Sequence, residues 1–183
     1  MKRTVQEVWE ALTYGRRAWI DSIKEYGKGC HSSTNHLYDG NPYSVHLELV
    51  FKFACEFSHL ITEEKIHVAL ASAWTHDTIE DTRQTYNDVK KACGEEVAEV
   101  VYALTNEKGK NRKERANDKY YFEMRKNKIA VYVKLCDRLA NLEYSSKSGS
   151  RMSDLYKKEH EGFISKLYFP EFEPMYDEMK KYF

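Results

Sequence analysis

Ile129-Ala130-Val131-Tyr132-Val133 decides the fold of this 183-residue chain. The run is β-branched and on propensity alone reads as a strand. A strand needs a partner. No second convincing strand exists in the sequence, and a lone strand is not stable. The apolar run also continues through Leu135, Cys136, Leu139 and Leu142, so the spacing predicts a buried helix over residues 129–142.

Outward from that run the apolar period is helical nearly throughout. Val5, Val8, Trp9 and Leu12 mark one stripe. Trp19, Ile20, Ile23 and Tyr26 mark a second, which ends in Gly27 and Gly29. Val45, Leu49, Val50, Phe53 and Phe57 make a third. Ile66, Ala69, Leu70, Ala73 and Trp74 make a fourth, opened by Thr62 with Glu63 and Glu64 in its first turn. Thr85, with Asp88 three residues on, begins a short helix that stops at Gly94. Val97, Val100, Val101 and Leu104 follow, then a polar, charged helix over 112–126. Ser153 opens a further helix, and Pro174 suits the first turn of a last one. The expectation is one all-α domain over residues 1–183, with C-terminal helices in 153–183. Polar, Gly-containing loops are expected at 27–42 and 106–111, and either can border a site.

Composition agrees with a globular chain: 42% hydrophobic, 32% charged, 8 Gly and 3 Pro. A domain of this length buries roughly 70% of its unfolded surface and needs no staple to fold. Lys+Arg and Asp+Glu are both 29, a balance that argues against general nucleic-acid binding. No run approaches a membrane span, and Met1-Lys2-Arg3-Thr4 leads into mixed sequence rather than an apolar signal region. The chain is therefore expected in the cytoplasm, away from membranes, with Cys30, Cys55, Cys93 and Cys136 as reduced thiols.

The chemistry concentrates in Trp74-Thr75-His76-Asp77-Thr78-Ile79-Glu80-Asp81-Thr82. If the helix continues, Glu80 and Asp81 lie over the face of Asp77. Clustered carboxylates repel, and burying them without a cation is costly. A divalent metal resolves the conflict, and imidazole plus carboxylate suits Mn, Fe, Co or Zn. The same residues also read as an N-cap followed by a solvated acidic turn. His46, in Pro42-Tyr43-Ser44-Val45-His46, opens the third helix and reads either as a ligand or as a capping histidine. Asp137 sits mid-helix among Leu and Val, where an Asp has poor propensity and a desolvation cost. Its alternative partner is Arg138 or Lys134, although adjacent side chains on a helix do not face each other. Ligation of a metal by Asp137, with Asn141 one turn on to bind substrate, accounts for both residues. Lys108 to Lys128 carries nine Lys/Arg against three Asp/Glu. Most of these form a solvated face; Arg112 and Arg115 are the first candidates to reach a phosphate, ahead of Lys147 and Arg151.

A His at a helix start, a His-Asp pair and a distant helical Asp resemble the ligand pattern of HD-domain phosphohydrolases. The flanks Gly40-Asn41-Pro42-Tyr43-Ser44-Val45-His46, His76-Asp77-Thr78-Ile79-Glu80-Asp81-Thr82 and Val133-Lys134-Leu135-Cys136-Asp137-Arg138-Leu139-Ala140-Asn141-Leu142 resemble the hydrolase domain of Rel/SpoT enzymes, which remove the 3′-pyrophosphate of the alarmone (p)ppGpp. So does Cys93 to Thr105, and the resemblance covers roughly residues 31–143. It implies an HD-type helical bundle and a site, mainly for Mn²⁺, held by His46, His76, Asp77 and Asp137. It implies Glu80 and Asp81 as the acid/base and water-orienting pair, and Asn141 near the nucleotide. The size is similar to that of the stand-alone small alarmone hydrolases.

The chain departs from that pattern at the base. Thr34-Asn35-His36-Leu37-Tyr38-Asp39 holds no Arg or Lys where the hydrolases carry a basic pair. Tyr38 is left to stack on a base, and Tyr43 is a further substrate-site candidate. The leading expectation is hydrolysis of (p)ppGpp or a related phosphorylated nucleotide. An HD-type 5′-nucleotidase and a non-catalytic nucleotide-binding regulatory module are the alternatives.

Overall fold

A computed structural model describes residues 1–183. Its helices are α1 (Val5–Ala11), α2 (Tyr14–Ser33), α3 (Ser44–Glu56), α4 (Glu63–Thr75), α5 (Thr78–Asp81), α6 (Tyr86–Cys93), α7 (Glu95–Leu104), α8 (Arg112–Arg115), α9 (Asp118–Met124), α10 (Lys128–Ser148), α11 (Met152–Leu167) and α12 (Glu173–Lys180). Between α2 and α3 lies a two-stranded ribbon, β1 (Leu37–Tyr38) and β2 (Asn41–Pro42). The all-α reading holds.

The β-branched run begins α10. The Asn127 side chain caps it, accepting from the backbone N–H of Ile129 and of Ala130 at 3.1 Å each, which satisfies donors that a helix start leaves open. Ala130, Val131, Tyr132 and Val133 are all buried, because α10 packs against α3, α4, α7, α11 and α12. A helix buried on every side needs no amphipathic stripe. Bulky β-branched side chains are tolerated there because packing outweighs their small helix penalty. The other helix signals at 85–94 are also present: Thr85 and Asp88 form a reciprocal capping box, and Gly94 turns at φ 88° into α7.

Three expectations need correction. First, α2 does not stop at Gly27 and Gly29 but runs on to Ser33. A Cβ on Gly27 would sit 2.1 Å from the carbonyl oxygen of Trp74, so Gly27 lets α2 and α4 meet backbone to backbone. Second, the loop expected over 27–42 contracts and contains the ribbon, whose turn places Asp39 (φ 50°) and Gly40 (φ 79°) in the left-handed region. Asp-Gly is a strong hairpin pair for that reason. Third, the polar helix over 112–126 is broken between α8 and α9, where Asn117 caps the new helix by accepting from Tyr120 N–H at 3.0 Å. No helix is long and apolar enough to cross a membrane.

Candidate metal centre and cleft

His46 lies in the first turn of α3, and His76 follows the last residue of α4. Asp77 leaves helical geometry at φ −100°, ψ 4°, so the chain changes direction before the single turn of α5. Asp137 projects from the middle of α10. The four side chains converge. His46 Nε2 is 3.2 Å from His76 Nε2, 3.8 Å from Asp77 Oδ2 and 3.3 Å from Asp137 Oδ1. His76 Nε2 is 2.8 Å from Asp77 Oδ2. His46, His76 and Asp77 each bring a ligand atom within 4.8 Å of the others, a grouping able to hold a metal ion.

The electrostatics fit a cation. Two imidazole nitrogens and two carboxylates face one point with little solvent. Burial works against a charged His76, but the Asp77 and Asp137 carboxylates override it and raise its pKa to about 9. Burial likewise works against the Asp77 anion, yet His76 holds its carboxyl below the usual range. Without a metal, a proton on His76 supplies the charge the cluster calls for. His76 Nδ1 lies 3.0 Å from the carbonyl of Ala73, and donation there leaves Nε2 free to ligate.

A second ring shell positions the first. Tyr43, expected at the substrate, is instead buried, and its hydroxyl donates to Asp77 Oδ2. Its ring stacks at 4.2 Å on both His31 and His36. Burial pushes the His31 imidazole down to about 4, so this support is neutral at pH 7. Tyr38 stacks on His46 at 4.7 Å and donates its hydroxyl to Asn141 Oδ1 at 2.9 Å. Asn141 Nδ2 in turn reaches Asp137 Oδ1 at 2.5 Å. Tyr38 and Asn141 thus brace His46 and Asp137, and Tyr38 is no free platform for a base.

Asp137 does have one of its two alternative cationic partners, Lys134. Lys134 Nζ is 2.8 Å from Asp137 Oδ2. Their i, i+3 spacing puts them on one helix face, so the pair was readable. Burial opposes the ammonium, but Asp137 holds Lys134 charged.

The chain changes direction before α5, but from Asp77 on it makes one helical turn, closed by Asp81 N–H donating to Asp77 O at 2.9 Å. Glu80 accepts from Asn106, through the backbone N–H at Oε2 (3.2 Å) and the side-chain amide at Oε1 (2.7 Å). Asp81 faces the other way, 3.9 Å from His36 Nε2. Burial, with the neighbouring Asp77 and Glu80 charges, raises Asp81 to about 7.

Beside Asp137 is a cleft of about 150 Å³, lined by Glu80, Asn106, Arg112, Arg115, Lys134, Arg138, Asn141 and Tyr156 among others. Four cations thus face it. Arg112 is held by Glu159, with Nε at 2.9 Å and an Nη at 3.1 Å. Arg138 is buried on the rings of Tyr156 and Phe163 at 4.7 and 4.2 Å. Lys147 is turned elsewhere, onto Glu143. A larger concavity, about 1490 Å³, is lined by residues 105–108 among others and holds none of the four candidate ligand residues. Chemistry rather than size identifies the site. Lys134 and Arg138 were read from sequence only as partners for Asp137, not as cleft cations, and Asn106 carries no signal there beyond a polar loop.

No family model matches the chain. Named relatives do. The chain is 32% identical over 127 residues, 68% of its length, to a guanosine-3′,5′-bis(diphosphate) 3′-pyrophosphohydrolase of Aquifex aeolicus, and covers 17% of that protein. It is 31% identical over 104 residues, 57% of its length, to guanosine-3′,5′-bis(diphosphate) 3′-pyrophosphohydrolase MESH1 of Danio rerio, covering 56% of it. It is 33% identical over 82 residues to MESH1 of Drosophila melanogaster, covering 45% of this chain and 44% of that one. The chain thus spans about half the length of the animal relatives and a small part of the bacterial one. In fold it matches, at a TM-score of 0.68 and 24% identity, the structure of a metazoan ortholog of SpoT that hydrolyzes ppGpp and plays a role in starvation responses. That match covers 90% of this chain and 94% of the other, and it shows a common helical fold. Three named relatives are thus 3′-pyrophosphohydrolases of guanosine-3′,5′-bis(diphosphate), each matched over part of its length.

Proposed function

We propose that this chain is a metal-dependent hydrolase that removes the 3′-pyrophosphate of (p)ppGpp or a related 3′-phosphorylated nucleotide in the cytoplasm. One observation carries the reading. The His46, His76, Asp77 and Asp137 donors converge, and Asp137 among them also lines a small cleft faced by Lys134, Arg112, Arg115 and Arg138. A site for a divalent cation beside a site for a compact polyanion is what phosphoanhydride and phosphoester hydrolysis needs.

The donor set suits Mn²⁺ first, with Fe, Co or Zn accommodated by the same residues. A divalent ion there supplies Lewis-acid charge to a phosphoryl oxygen and to water. This chain's residues do the rest. The Glu80 carboxylate, on the cleft wall, accepts the proton of the attacking water. Asp81, the second acid, lies 3.9 Å from His36 Nε2 rather than on the cleft wall, and serves to relay a proton through water. Lys134, Arg112 and Arg115 offset phosphate charge with charge-assisted hydrogen bonds. Asn141, braced by Tyr38, orients Asp137.

The test is to strip the purified protein with chelator, reload it with Mn²⁺, Fe²⁺, Co²⁺ or Zn²⁺, and follow ppGpp by ³¹P NMR. One pyrophosphate per GDP is expected. Orthophosphate in its place indicates a nucleotidase, and binding without turnover under every metal indicates a regulatory module; either result overturns the reading.

A further inference from the structure

We infer that Asn106 is a positioning residue for Glu80, fixing the carboxylate that serves as base in the proposed reaction; the inference rests on that reading of Glu80. Asn106 supplies the hydrogen bonds to both carboxylate oxygens, one from its backbone and one from its side chain. A carboxylate gripped at both oxygens cannot rotate about its last torsion. Each oxygen still keeps a lone pair for water or substrate.

The chemistry of the partner matters. A guanidinium or ammonium in this place would also hold Glu80, but its charge would strongly depress proton affinity. A neutral amide orients the carboxylate and perturbs it less. Asp81, one residue on, has no such clamp and meets only His36, at 3.9 Å. The two acids are therefore divided by mobility as well as by direction.

Asn106 is itself held before any substrate arrives. Thr105 N–H donates to Val101 O at 3.1 Å, the Tyr120 hydroxyl donates to Leu104 O at 2.7 Å, and Glu107 N–H donates to Arg115 O at 3.1 Å. The strap is pinned on both sides of Asn106, and its far anchor is the helix that carries Arg112 and Arg115. Donors fixed in advance need no ordering during the reaction.

The test compares Asn106→Ala, Asn106→Asp, Glu80→Gln and the double variant Glu80→Gln/Asn106→Ala, all metal-loaded, by steady-state pyrophosphate release from ppGpp. Asn106→Ala is expected to lower kcat about 10- to 100-fold, the scale of a misplaced reacting group. KM should stay within about threefold, because the displaced group acts on the reaction rather than on binding. Metal stoichiometry should be unchanged. Asn106→Asp keeps the size, opposes carboxylate to carboxylate, and should lose at least as much; it carries the test if the Ala variant fails to fold. In the Glu80→Gln background, Asn106→Ala should change kcat less than about twofold, since residues acting through one another are not additive. A full, multiplicative loss in that background would assign Asn106 to loop structure and overturn the inference. Wild-type kcat in both Asn106 variants, with Glu80→Gln impaired, would overturn it while the Glu80 role stands. Wild-type turnover by Glu80→Gln itself would instead remove the base from the proposed reaction, and the inference with it.

Discussion

His46 and His76 are each 1% exposed, whereas Arg112 and Arg115, which line the neighbouring cleft, are open to solvent. The first wall is made by side chains from α3, α4 and α10, the helices of the core, and its rings are braced by Tyr38, Tyr43 and His31. The second is a surface strap and a one-turn helix, held by Glu159 and a few backbone hydrogen bonds. The geometry of the metal cluster is thus set by packing, and that of the phosphate cations by contacts a substrate can rearrange. Glu80 belongs to the first wall by sequence and is tied to the second by Asn106.

Substitutions that respect this division should separate metal content, rate and affinity. Glu80→Gln has the largest expected effect among them: turnover falls about 10²–10⁴-fold, the usual contribution of proton transfer, while metal analysis gives the wild-type value. Normal turnover would move the base to Asp81 or to the metal alone. Arg112→Ala should act through affinity, lowering kcat/KM about tenfold, or 1.4 kcal/mol. Its exposed pairing with Glu159 is worth only about 0.2–1 kcal/mol of stability. A large fall in melting temperature would show that the outer wall is structural after all.

A pH experiment sharpens the same contrast. Asp81 titrates at about 7 in the folded chain, above its unfolded value, so the folded state binds the extra proton and stability is lost as pH rises from about 4 through 7. Asp81→Asn should remove this. The melting temperature of the metal-free variant, relative to wild type, is expected to rise between pH 4 and pH 8; a constant difference would contradict the burial argument. The smallest effect concerns the base. Leu37 is exposed, Tyr38 is already engaged with Asn141, and no Arg or Lys lies in 34–39. ppGpp and its adenine counterpart should therefore differ by less than about tenfold in kcat/KM, a gap of about 1.4 kcal/mol. A thousandfold guanine preference would show that another residue reads the ring.

Much of the fold was legible because its signals are local. The stripes, the Thr85–Asp88 capping box and the Gly94 turn each lie within a few residues of one another. The ambiguous 129–133 run resolved by exclusion, since no strand was available to pair with it. Gly27 misled because a helix-stopping residue and a close-packing residue look alike until the carbonyl of Trp74 is in place. The Asp39-Gly40 hairpin was readable and overlooked. At the site, Asp137 stood out as a polar group in a costly place and His76-Asp77 as part of an acidic cluster, while His46 at a helix start joined them only through the family resemblance. What sequence spacing did not reveal were contacts between distant segments: Asn106 on Glu80, 26 residues apart, and Arg112 on Glu159, 47 apart. The change of direction at His76-Asp77, between α4 and α5, also escaped.

The central claim is that four core side chains form one metal site, and calorimetric titration of Mn²⁺ into chelator-treated protein tests it most directly. Asp137→Ala is the informative variant. It strands Lys134, which keeps some solvent, so a stability cost of about 1–3 kcal/mol is expected, small enough for a core of this size to remain folded by circular dichroism. The account predicts one Mn²⁺ per chain for wild type and for Glu80→Gln, and no binding by folded Asp137→Ala. Full Mn²⁺ occupancy in Asp137→Ala would contradict it.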